Sequence, residues 1–271
     1  MLNQTIEKDL KIKILLLCGG EGNRWGNHMG VPKQLVPINK KPLLEDTINK
    51  LRAKGHSEIS IIGCDNKHII PGVSYVNLNI EEQNFRHHKF LSSRNFWNTN
   101  GTTLILFGDV FFSDFAIDVL LSFTSNSINF TGRLTASRVT GCEYQEIFGV
   151  SFNSTHNDEV ELLMLEADIK SSRPAGWQFY KAAANKYAIG ESVSFSGVVF
   201  NHIDDFTEDF DFPYDYEKWK KNLEIKKVQA DADQFLNVAQ WMRRAKKRKV
   251  KVVFLSFCNL FLILIIGFLL T

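Results

Sequence analysis

The spacing of hydrophobic and polar positions changes several times along this chain, and each change marks an element. Ile12 to Leu17 is a short apolar run bounded by glycine, the form of a strand in a parallel sheet covered on both faces. Pro42 can open a helix whose inward positions Leu43, Leu44, Thr47, Ile48 and Leu51 recur at helical spacing until Gly55 stops it. Glu58 to Gly63 reads as a second strand, so strand, helix and strand form a βαβ unit. Val73 to Leu78 predicts a third strand, and a helix through Phe90, Leu91 and Phe96 leads to a fourth, Thr102 to Phe107. Ile128 to Asn153 reads as extended structure, Pro174 to Lys181 as a helix, and Val193 to Phe200 as another strand. Pro213 stands near the start of a helix that would turn Tyr216 and Trp219 inward, and a last helix begins near Asp231. The expected fold class is α/β, a doubly wound and mostly parallel sheet.

Composition sets the size of that picture. The chain has 271 residues, 44% of them hydrophobic, enough for one substantial α/β domain. Its four cysteines, Cys18, Cys64, Cys142 and Cys258, lack metal-site spacing, which argues against a disulfide framework and suits a reducing compartment. The net charge of +2 hides an asymmetry, because Arg243, Arg244, Lys246, Lys247, Arg248, Lys249 and Lys251 cluster with no acid beyond them. The body before them is mildly acidic, so a nucleic-acid-binding surface has no support.

From Val252 to Leu270 the chain is apolar and free of charge, and at about 1.5 Å per residue it is long enough to cross a hydrocarbon core of roughly 30 Å. The cations on its N-terminal side orient the body toward the cytoplasm, as a tail anchor would. The N-terminus has no secretory h-region. The expected organisation is a catalytic domain over 1–230, a connecting helix and basic juxtamembrane segment over 231–251, and a transmembrane helix over 252–270.

The chemistry gathers first at Ile14-Leu-Leu-Leu-Cys-Gly-Gly-Glu-Gly-Asn-Arg24, followed closely by Pro32-Lys33. Glycines let backbone N–H groups converge on an anion, and Arg24 and Lys33 can supply charge to a polyphosphate. A P-loop is excluded because Lys33 follows proline rather than glycine. A dinucleotide fingerprint fails at Trp25, where the third glycine should stand. What remains, G-G-x-G-x-R with P-K at short range, resembles the opening of the nucleotidyltransferases that join a nucleoside triphosphate to a phosphorylated acceptor, the sugar-phosphate and phosphocholine nucleotidylyltransferases among them. Cys18 stands where that family more often has alanine or glycine.

Asp109 lies at the carboxyl end of the fourth predicted strand, where ligands of open α/β sheets bind. By itself it reads as a turn former or as a ligand for Mg²⁺, a hard cation that takes oxygen ligands shared with phosphates. The resemblance favours the metal, since the family carries a G-D-x segment there. Asp114, four residues on from Val110, reads as a helix cap. Asp209-Phe-Asp211-Phe-Pro213 resembles the family's closing acid-x-acid-x-Pro segment, and Asp211 falls on the position of the second metal ligand. Phe212 departs from the threonine or serine common there.

The resemblance therefore implies a Mg²⁺-dependent transferase with Lys33 and Arg24 as catalytic residues. It implies a nucleotide site at Cys18, Gly19, Gly20, Glu21 and Gly22, with Gln83 and Ser92 near the base, and metal ligands Asp109 and Asp211. The second half of the chain would build the acceptor pocket, making Glu143, Arg173 and Trp177 candidates to touch the acceptor; an arginine on a loop and an aromatic in the core are the plainer alternatives. Adjacent His87 and His88 point apart on any regular element and make no metal pair. The substrates implied are a nucleoside triphosphate and a phosphorylated small molecule. A nucleotide-sugar-dependent glycosyltransferase of the same fold, or a non-catalytic nucleotide-binding scaffold, would share much of the pattern.

Overall fold

The structure is a computed structural model of the 271-residue chain and describes residues 11–20, 22–78, 90–124, 126–169, 176–189 and 193–226. In chain order the strands are β1 (Ile12–Cys18), β2 (Pro37–Ile38), β3 (Lys41–Pro42), β4 (Ile59–Gly63), β5 (Ser74–Asn77), β6 (Thr102–Phe107), β7 (Val110–Phe111), β8 (Ser127–Arg133), β9 (Glu146–Asn153), β10 (Gly197–His202) and β11 (Glu208–Asp209). The helices are α1 (Leu43–Ala53), α2 (Asp114–Leu121), α3 (Asn157–Ile169), α4 (Gly176–Ala188) and α5, residues 213–226.

Seven strands form one sheet in the order β10-β8-β9-β6-β1-β4-β5. β1 pairs in parallel with β4 on one side and β6 on the other, while β9 alone runs against its neighbours β6 and β8. The continuous apolar run of β1 has a direct cause, because both of its faces are covered. Ile14, Leu16 and Cys18 pack with Leu44, Ile48 and Leu51 of α1 and with Ala116, Ile117 and Leu120 of α2. Leu15 and Leu17 share the opposite core with Val160 and Leu163 of α3 and Phe179 and Ala183 of α4. Each buried Leu, Ile, Val or Phe among these contributes about 1.5–3 kcal/mol relative to exposure. The mostly parallel, doubly wound α/β sheet expected from the sequence is the fold observed.

All five inward positions expected of α1 are buried, and Tyr216 and Trp219 face the core. Several expectations need correction. Ser113, not Asp114, caps α2, since its hydroxyl accepts from the Ala116 N–H while Asp114 is already helical. The helix expected through Phe90 to Phe96 is one short 3₁₀ segment, Leu91–Phe96. The strand expected from Val193 begins only at Gly197 and runs on to His202. The stretch from Ile128 to Asn153 is two strands, β8 and β9, with turns over residues 134–145 between them.

Met1–Trp219 and Lys220–Thr271 form two compact units. In the second, residues 220–226 are described, and they are helical. Among the described residues no helix is long and apolar enough to cross a membrane. The helix expected from Asp231, the basic cluster and the 252–270 segment lie outside the described residues.

Candidate active site

Parallel pairing brings the carboxyl ends of β1 and β6 side by side, so the glycine turn after Cys18 and the Gly108-Asp109 step share one edge of the sheet. The Gly108 N–H donates to the Leu17 carbonyl at 2.9 Å. A Cβ at Gly108 would collide with the Cys18 Sγ and crowd that carbonyl, so glycine is what lets the two strand ends approach. Gly20 and Gly22 have φ of 117° and 62°, backbone that L side chains rarely adopt, and they turn the chain sharply away from the sheet.

The chain is then pinned by Trp25. Its indole is buried and donates from Nε1 to the Val31 carbonyl at 3.0 Å, and it packs edge-on against Tyr216 with centroids 6.4 Å apart. The residue that broke the dinucleotide pattern is thus the anchor of the loop. Beyond it, Pro32 precedes a 3₁₀ turn, Lys33–Leu35, that aims Lys33 back at the strand ends.

Asp211 arrives from the far end of the chain on a small ribbon. β11 pairs antiparallel with β7, Asp209 opposite Val110, and the Phe210 N–H donates to the Asp109 carbonyl at 3.2 Å. The ribbon ends where α5 starts. There the Asp215 carboxylate accepts from the Phe212 N–H at 2.9 Å, as the third residue of a capping box does, and Tyr216 donates its hydroxyl to the Pro37 carbonyl.

These supports meet at Lys33. Its Nζ lies 2.5 Å from Asp109 Oδ2 and 3.2 Å from Asp211 Oδ1, with the lysine and Asp109 side chains only 11% and 7% exposed. Burial alone would favour the neutral amine, but Asp109, Asp209 and Asp211 outweigh it and raise the lysine pKa. Arg24 Nη1 bonds Asp211 Oδ2, and its guanidinium stands 5.6 Å from the Phe212 ring. Beneath, burial and then the Asp109 charge push the Cys18 thiol up, so it stays protonated.

Four residues expected to act together, Arg24, Lys33, Asp109 and Asp211, are therefore brought together, with Cys18 below them and Gly19, Gly20 and Gly22 beside them. Ser92 is partly buried on the 3₁₀ segment, Glu143 is exposed on the turns between β8 and β9, and Trp177 packs against Tyr180 and Phe200 in the first turn of α4. Glu21, Gln83 and Arg173 lie outside the described residues.

Four residues had no role assigned from the sequence. Asp209 faces Lys33 electrostatically, and its Oδ1 is sealed without a hydrogen-bond partner. Burial first, then Asp109, pushes its pKa well up. Glu146, at the start of β9, is raised to about 7 by burial and then by Asp211. Arg133 and Glu208 form a buried pair at 2.8 Å. Only the acid-x-acid spacing of Asp209 and Asp211 offered any signal for these.

The donor set fits a divalent cation. Oxygens of Asp109 and Asp211 already converge on a single cationic atom, the arrangement a hard cation would also use. Among the described residues no three His, Cys, Asp or Glu side chains are grouped to hold a metal, so phosphate or water oxygens would have to complete the sphere.

The same edge carries a recognisable sequence. Residues 14–84 match the MobA-like NTP transferase domain. The match takes in the glycine turn, Arg24 and Lys33, and the resemblance to nucleotidyltransferases is borne out. Over 116 residues, 40% of the chain, it is 32% identical to the bifunctional protein GlmU of Methanococcus maripaludis strain S2 and 31% identical to that of strain C5. The matched part spans 27% of the length of those relatives. Among solved structures, the CTP:phosphocholine cytidylyltransferase of Streptococcus pneumoniae is 17% identical with a TM-score of 0.51, covering 79% of this chain and 100% of that one. The inositol-1-phosphate CTP transferase of T. maritima is 14% identical with a TM-score of 0.51, covering 78% and 96%. At such identities the likeness is one of fold.

Proposed function

We propose that the chain is a nucleotidylyltransferase, moving the nucleoside monophosphate of a triphosphate onto the phosphate of a small acceptor and releasing pyrophosphate. The observation that carries this reading is the Lys33 ammonium held between Asp109 and Asp211 beside a glycine turn at the carboxyl end of β1. The MobA-like match over that turn supports it. The fold shared with a phosphocholine and an inositol-1-phosphate transferase supports a phosphorylated alcohol or sugar as acceptor.

In this reaction the backbone amides of Gly19 to Gly22 hold the triphosphate, and Arg24 faces the departing pyrophosphate. Lys33 faces the α-phosphoryl group, where charge shifts as bonds change. An acceptor phosphate oxygen forms the new bond to the α-phosphorus, and the bridging oxygen on the opposite side leaves with the β-phosphate. No side chain need form a covalent bond, so the contribution of the protein is position and charge. Asp109 and Asp211 would hold Mg²⁺, which when bound neutralises phosphate charge.

The membrane location belongs to the same proposal. The charge-free run over 252–270 and the cations before it support a body tethered at the cytoplasmic face. The reaction is tested by assaying the full-length chain with four nucleoside triphosphates against a panel of sugar and alcohol phosphates, reading acceptor-dependent pyrophosphate release. One productive pair is expected, and no release with any pair would refute the assignment.

A further inference from the structure

Lys33 occupies the place where a metal would have to bind. Its Nζ is in contact with one oxygen of each carboxylate assigned to the cation, and Arg24 takes the second Asp211 oxygen. The lysine is not a surface side chain that swings aside at no cost. It is nearly buried, and the Asp109 and Asp211 carboxylates hold its charge. A free divalent cation reaching Asp109 and Asp211 would have to displace the ammonium and then stand within a few ångströms of it, two like charges in a partly desolvated pocket. A triphosphate changes that balance, because its oxygens give Lys33 and Arg24 new anionic partners while also ligating the cation.

We infer that Lys33 is a counter-ion latch: it keeps the Asp109 and Asp211 carboxylates closed to a free divalent cation and yields them only when a triphosphate arrives with the metal. The inference rests on the nucleotidyl-transfer reading above and adds to it an order of assembly. In this role Lys33 has two positions, on the carboxylates before binding and on the phosphates after it. The same residue thereby selects the metal–nucleotide complex over the metal alone. Lys33 is well suited to this, since its compact ammonium sits on a flexible four-carbon stem, whereas an arginine fork would lock onto one carboxylate.

The test reads binding rather than turnover. Mn²⁺, used as a paramagnetic probe, is titrated into the full-length chain without nucleotide, and free Mn²⁺ is followed by electron paramagnetic resonance. Retention of non-hydrolysable triphosphate analogues is measured separately by equilibrium dialysis with and without Mn²⁺. The native chain should retain one analogue in the presence of Mn²⁺ and show no saturable Mn²⁺ binding by itself at that metal concentration. Lys33→Met, which keeps the length and removes the charge, should bind Mn²⁺ without nucleotide at least about tenfold more tightly than the native chain. Mn²⁺ binding to the native chain without nucleotide that is as tight as to Lys33→Met would overturn the latch. If Lys33→Met does not fold, saturable Mn²⁺ binding by the native chain alone, at concentrations that support analogue retention, overturns it equally well. Failure to retain any triphosphate analogue with Mn²⁺ would instead refute the nucleotidyl-transfer reading itself.

Discussion

Glu208→Ala probes the part of the molecule that sets where Asp211 stands. Arg133 and Glu208 are 3% and 1% exposed, their charges meet at 2.8 Å, and the Ser137 hydroxyl donates to the other carboxylate oxygen. Arg133 has little else to rely on. Among the described residues its Nε and Nη2 have no hydrogen-bond partner, and beyond Glu208 it meets the Phe148 ring 5.7 Å away and, electrostatically, the Glu146 carboxyl across the strand pair. Removing Glu208 would therefore leave a buried guanidinium without its hydrogen-bonded counter-charge, a change that costs about 3–5 kcal/mol. In a domain of this size that is a fall in Tm of roughly 6–20 °C, at about 2–4 °C per kcal/mol. Because β11 carries the step from Glu208 to Asp211, activity should fall further than the unfolded fraction explains. The double variant Arg133→Met with Glu208→Leu removes both charges and should recover most of the lost stability. Urea and thermal unfolding of the three proteins decide the matter. A loss below about 1 kcal/mol in Glu208→Ala would show that the pair is not isolated from solvent as argued.

Lys33→Ala and Asp109→Ala should each lower turnover by about a hundredfold or more, since each removes a charge aimed at the transferring group; near-native rates in either would sink the assigned mechanism. Glu146 holds a proton in the folded chain that the unfolded chain has released. Stability should therefore fall as pH rises from its ordinary 4.5 to about 7, and Glu146→Gln should flatten that profile; parallel profiles of variant and native would contradict the burial argument. Gly108→Ala should separate the ends of β1 and β6 and weaken nucleotide retention more than it weakens folding, which dialysis and thermal unfolding together would show. Ending the chain after Met242 should release the protein from membranes with activity intact, and a truncated chain that still pellets with membranes would rule out the tail as the main tether.

The sequence showed the fold wherever one local pattern decided the outcome. β1, α1, β4 and β6 were legible because an apolar run between glycines or a clean helical repeat leaves few alternatives. Ser113 over Asp114 was not legible. Both are good caps one residue apart, and the choice turns on which hydroxyl or carboxylate meets the Ala116 N–H. The candidate site residues Arg24 and Lys33 stood out because glycines and a proline frame them. Glu146 and Arg133 did not, since each lies at the end of an ordinary strand and owes its character to burial and to partners far along the chain.

Strand order gives the site its two sides. Beginning from Asp109 at the end of β6, the glycine turn lies toward β1 on one flank, while Glu146 on β9 and Arg133 on β8 lie toward the other. β8 runs parallel to β6 because β9 is antiparallel to both, so Arg133 and Glu146 come to the same edge of the sheet as Asp109. In the proposed reaction the triphosphate fills the β1 flank, and an in-line attack must then come from the opposite side of the α-phosphorus. The acceptor would enter over β8 and β9. One reversed strand, β9, puts the carboxyl group of its own first residue, Glu146, at that entrance, where a parallel strand would have presented its last.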